Sequence, residues 1–100
     1  MQIKSGVNMA GLDIRMRPAL IAAEKIWKDL GQELVVTSAL DGTHSAGSLH
    51  YYGRALDFRT RDFTDNEEKS AVKRLRRDAG EDFDVVLEKS HIHCEYDRKL

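Results

Sequence analysis

Cys94 is the one cysteine in a chain of 100 residues. No disulfide can close within such a chain, so nothing covalent compensates for the small core that a domain of this size builds. The fold must be held by packing, with a bound metal as the other device of comparable strength. Hydrophobic residues make up 41% of the chain and charged residues 33%, at a formal net charge of -1. Packing therefore has its material, and the composition excludes a disordered tail. One domain covering residues 1–100 is the expectation.

The balanced charge gives no overall attraction to nucleic acid. The one basic cluster, Lys73, Arg74, Arg76 and Arg77, falls in a predicted helix and reads as a solvated face. No run is long and apolar enough to cross a bilayer, and Met1 to Asp13 lack the apolar core of a signal peptide. The expectation is a monomer made and kept in the cytoplasm, without a membrane partner, which another protein must deliver if its substrate lies outside.

Hydrophobic periodicity places the elements. Pro18 stands at a predicted helix start, and Leu20, Ala23, Ile26, Trp27 and Leu30 recur at helical spacing before Gly31 supplies a stop. Glu33 to Ser38 is a short β-branched run that reads as a buried strand, followed by a polar loop over Leu40 to Ser48. Arg54 to Arg59 alternates, with Asp57 on the face opposite Leu56 and Phe58. Thr64 to Glu67 matches a capping box, and Ala71, Val72, Leu75 and Ala79 continue as the stripe of a second helix closed by Gly80. Phe83 to Leu87 reads as a strand. In the closing segment His91, His93 and Glu95 alternate with Ile92, Cys94 and Tyr96, which puts both imidazoles on one side. The order helix, strand, strand, helix, strand, strand predicts an α+β domain with a mainly antiparallel sheet and helices packed on one face.

The chemistry converges on that sheet. His50 precedes Asp57 by seven positions, and His91 and His93 close the chain on a common polar face. Taken singly, a histidine near a strand start or an aspartate on a strand is ordinarily structural. Together they supply the mixed nitrogen and oxygen donors of a zinc site that uses three protein ligands: His50, Asp57 and one of His91 and His93. Gly53 allows a tight turn between the first two. Glu88 is the candidate general base for a zinc-bound water, and the histidine not bound to the metal is placed to hold an oxyanion. Cys94 alternates to the opposite side and reads as a small core residue.

At these residues the chain resembles the zinc D-alanyl-D-alanine carboxypeptidase family, which includes phage endolysin peptidases and is related in fold to the hedgehog signalling domain. The family pattern S-x-H-x-x-G-x-A-x-D is similar to Ser48, His50, Gly53, Ala55 and Asp57 in SLHYYGRALD. A second block, a glutamate before a histidine-bearing strand, is similar to Glu88, His91 and His93 in LEKSHIHCEYD. The resemblance implies one zinc ion on His50, Asp57 and His93, Glu88 as catalytic base and His91 as oxyanion partner. It also implies a peptidoglycan stem-peptide substrate, and a phage-type hydrolase acting on the cell wall after delivery. The chain departs from the family after Ser38, where an arginine that binds the substrate carboxylate is missing. Arg54, Arg59 and Arg61 are the candidate replacements, with His44, Asp41 and Ser48 as further substrate contacts. The alternative reading is a non-catalytic binding module of hedgehog-like fold in which the same zinc stabilises the domain.

Overall fold

The computed structural model describes residues 1–39 and 53–97. Asp13 opens a short 3-10 turn over Ile14–Met16, its carboxylate accepting the Arg15 backbone N–H. The turn runs into helix α1, Arg17–Asp29, which carries Pro18 in its first turn, where a missing N–H costs nothing. Helix α2, Asp65–Ala79, starts on the predicted capping box. The Thr64 hydroxyl accepts the Glu67 N–H at 3.2 Å, and the Glu67 carboxylate accepts the Thr64 N–H at 2.8 Å. Such a cap is worth about 1 kcal/mol, and three acids in the first turn complement the helix dipole.

Five strands form one mixed sheet in the order β1-β2-β3-β5-β4: Gln2–Ile3, Val35–Ser38, Ala55–Arg59, His91–Tyr96 and Phe83–Leu87. The pairs β2–β3, β3–β5 and β4–β5 are antiparallel, and β1–β2 is parallel. β1 is not among the expected strands, because two residues carry no readable alternation. It forms through tertiary pairing, the Gln2 N–H to the Leu34 carbonyl at 2.7 Å and the Lys4 N–H to the Val36 carbonyl at 2.9 Å. The β2–β3 register shifts between Val36 and Ser38, so the strand kinks where it passes Asp57.

Alternation sorts the sheet into two faces. Leu56, Phe58, Ile92 and Cys94 are fully buried and join Ala23, Ile26 and Trp27 of α1 and Ala71 and Leu75 of α2 in one cluster. Trp27 lies edge-on to Phe58 with ring centroids 5.8 Å apart, its indole N–H bonded to the Arg59 carbonyl at 3.0 Å. The product is a small single α+β domain.

Among the described strands β4 is at the edge. Bonds from the Glu88 N–H to the His91 carbonyl and from the Asp97 N–H to the Asp82 carbonyl fix its phase, leaving the Val85 carbonyl turned away from β5. Arg76 of α2 reaches over and donates to that carbonyl from two guanidinium nitrogens, at 3.1 and 2.8 Å.

Candidate functional site

The second sheet face carries the polar groups. Asp57 pairs directly with His93 across β3 and β5, and Arg59 with His91, so the four side chains share one surface. Asp57 Oδ1 lies 2.9 Å from His93 Nδ1, and Asp57 Oδ2 lies 3.8 Å from His91 Nε2. The other nitrogen of His93, Nε2, meets Glu95 Oε1 at 3.0 Å. Alternation alone brings Glu95 there, two residues along the strand from His93. Its part in the site is legible in that spacing, although the glutamate expected there, Glu88, precedes the histidines.

Two carboxylates therefore hold the His93 ring. The bond to Asp57 is the main cause of a pKa raised above the ordinary 6.5, with burial opposing the rise and Glu95 adding to it. A raised folded-state value means that the pair stabilises the metal-free fold fully below about pH 6.5 and loses that contribution as the pH climbs through the raised value. Thermal melts of chelator-treated protein across this range should show the decline, and His93→Asn should abolish it. An unchanged pH profile in that variant would disprove the pairing.

Asp57 and His93 are donors of the types zinc accepts. Two ligands of one tetrahedral zinc, each about 2.0–2.2 Å from the ion, stand roughly 3.3 Å apart. Asp57 and His93 face each other at 2.9 Å, so they would have to part by a few tenths of an ångström to admit the ion, and Glu95 holds the ring from behind as an outer carboxylate does for a metal-bound imidazole. Burial pushes the Cys94 thiol up to about 12, which agrees with its place in the core and removes it as a thiolate donor.

Of the other expected residues within the described chain, Glu88 stands across from His91 and Arg54 is drawn to the N-terminal segment. Glu88 is exposed at the mouth of the β4–β5 hairpin, its backbone N–H bonded to the His91 carbonyl at 2.9 Å. Arg54 points to the N-terminal segment, its Nε 3.4 Å from Asp13 Oδ2, and shares that carboxylate with Arg15. Arg15 holds Asp13 well below the usual carboxylate range and lies 5.0 Å from the centre of the Tyr96 ring. The expected ligand His50 and the expected substrate contacts Ser48, His44 and Asp41 lie outside the described residues.

A family model for the hedgehog amino-terminal signalling domain matches residues 13–95. The match spans both motif blocks, from the helix start to the closing strand. This chain belongs to the hedgehog amino-terminal signalling domain family. Indian hedgehog protein of Gallus gallus is 39% identical over 82 residues, covering 80% of this chain and 19% of the relative. Indian hedgehog protein of Xenopus laevis is 38% identical over 82 residues with the same coverage of both chains. Sonic hedgehog protein of Danio rerio is 42% identical over 66 residues, covering 64% of this chain and 16% of the relative. The chain thus spans less than a fifth of the length of these relatives.

Hedgehog membership corrects several expectations. The chain is not placed in the carboxypeptidase and endolysin family, and the peptidase activity, peptidoglycan substrate and phage role inferred from that resemblance fall with it. So does the picture of a cytoplasmic protein delivered to a cell wall, which joined the missing signal-peptide core to that substrate. The physical reason is that His50, Asp57 and His93 speak at most for a metal, and a metal site grafted on a fold does not by itself specify a reaction. Among the described residues no helix is long and apolar enough to cross a membrane.

Proposed function

We propose that this hedgehog domain works by recognition. It binds a protein partner of a signalling system through the polar face of its sheet, and a zinc ion on His50, Asp57 and His93 organises that face. The direct pairing of Asp57 with His93 across two strands, with Glu95 behind the ring, carries the reading. The ion would neutralise Asp57 and tie β3 and β5 to the segment bearing His50, giving a chain without disulfides a cross-link. In this reading His91, within 3.8 Å of the Asp57 carboxylate, helps shape the surface.

One zinc per chain is expected by metal analysis. Asp57→Asn, which removes a charged donor and the partner of His93, should weaken zinc binding by about 10–100-fold, measured by competition with a chelating dye. Acid should weaken it too, because the ligating imidazoles must be unprotonated. The functional test uses cells that respond to Indian hedgehog protein. Added zinc-loaded domain should mimic or compete with that response, and Asp57→Asn should lose the effect together with the metal. A folded, zinc-loaded domain that does neither would refute the recognition role.

A further inference from the structure

Beside Asp57 and His91, toward the β1 end of the sheet, lies a cleft of about 360 Å³. Three cations line it: Lys4 just after β1, Arg59 at the end of β3 and Arg61 in the turn that follows. Ser90, from the tip of the β4–β5 hairpin, adds a hydroxyl. The other arginines with described partners are spoken for: Arg15 and Arg54 by Asp13, Arg74 by Asp29, Arg77 by Asp78 and Arg76 by the Val85 carbonyl. Among the described residues, by contrast, no carboxylate pairs with Lys4, Arg59 or Arg61. The carboxylate on the cleft wall, Asp57, is engaged by His93.

Concentrating three unpaired cations in one concavity is electrostatically unfavourable unless an anion enters, since each raises the potential felt by the others. The opposite end of the same face is acidic, with oxygens of Asp84, Glu95 and Asp97 within 4.8 Å of one another. The face is therefore polarised from a basic cleft, past the Asp57–His93 pair, to an acidic end. The backbone of Arg59 is fixed from below by the Trp27 indole, which limits the reorganisation needed to bind.

We propose that the Lys4–Arg59–Arg61 cleft is the anion-recognition pocket of this domain and takes the carboxylate side chains of an acidic segment on its protein partner. The proposal rests on the recognition role given above and identifies the chemistry of the partner. A guanidinium grips a carboxylate through two parallel hydrogen bonds, and two arginines with a lysine accommodate adjacent acids. Their grouping favours a short acidic peptide over a repeating sulfated glycan. The three cations line one open cleft instead of running along an element as an extended basic stripe.

The test is a titration of isotope-labelled, zinc-loaded protein, followed by its amide resonances. The probes are a blocked Asp-Gly-Asp-Gly peptide, its Asn-Gly-Asn-Gly counterpart and a heparin hexasaccharide. The acidic peptide should shift residues around Lys4, Arg59, Arg61 and Ser90, more weakly at high salt, and the neutral peptide should not. Arg59→Ser with Arg61→Ser should lower affinity for the acidic peptide by about tenfold or more. Arg61→Ser alone, at an exposed turn, gives an intermediate loss without disturbing a strand, and Lys69→Ser on α2 controls for net charge. Equal loss in the Lys69 variant, shifts centred elsewhere, tighter binding of heparin than of peptide, or no binding of the acidic peptide would each overturn the assignment. Repeating the titration after chelation separates it from the zinc reading. Arginine-dependent peptide binding that survives metal removal upholds the cleft even if the zinc assignment fails, and the cell assay scores the signalling role independently.

Discussion

Trp27→Ala is expected to remove about 4 kcal/mol of stability, the middle of the range for deleting a fully buried aromatic side chain. Trp27 is 1% exposed and packs on Phe58 and on Phe63, whose ring lies 5.3 Å away. Its loss opens a cavity between α1 and the sheet and takes the donor from the Arg59 carbonyl. A domain of this size commonly has about 5–15 kcal/mol in total, so the variant would lose between roughly a quarter and most of its stability. Urea denaturation gives the value, and Trp27→Phe separates the two losses by restoring much of the apolar contact without the N–H. A penalty below about 1 kcal/mol for the alanine variant would contradict the packing of α1 on β3.

Gly53→Ala comes next, at about 3 kcal/mol. Gly53 has φ +71°, a conformation that costs an ordinary L-residue roughly 1–2 kcal/mol. A Cβ there would also stand 2.5 Å from the Gly11 carbonyl oxygen and 3.1 Å from the Asp13 nitrogen. Both neighbours are backbone atoms, and the Asp13 N–H is tied to the Gly53 carbonyl at 2.8 Å. Gly31 is the internal control: it has a similar φ of +79°, with nothing within 4 Å of the place a methyl would take. Gly31→Ala should lose only the conformational part, about 1 kcal/mol. Matching melting temperatures for the two variants would show that the Gly11 contact is absent in solution. Since Gly53 leads into the strand that bears Asp57, the variant is also expected to bind zinc more weakly.

Much of this architecture is readable from residue order. The stripe from Leu20 to Leu30, the Thr64–Glu67 box and the alternation from His91 to Tyr96 are local patterns, and each fixes its own element and facing. The two-residue β1 is not readable, because its hydrogen bonds are made to a strand more than thirty residues away. The same limit applies to the site. Asp57 and His93 can be assigned to one polar face from alternation, but their direct opposition depends on the β3–β5 register. The basic cleft is hidden more deeply, since Lys4 reaches it only through β1 and Arg61 only through the turn after β3. Arg54, which looks equally available in the sequence, is taken by Asp13. The peptidase expectation fails for another reason. The motif blocks carry side chains of the metal-donor type, and the step from donors to hydrolysis added chemistry that donors alone do not carry.

The reach of Arg76 to the Val85 carbonyl has a consequence for how these molecules meet one another. Val86 and Leu87 leave the outer strand with a greasy, solvent-facing ribbon, 44% and 39% exposed, of the kind that invites a second molecule to add its own strand. The guanidinium occupies one acceptor such a visitor would need, so one side chain of the helix beneath weakens the edge as a template for lateral growth from copy to copy.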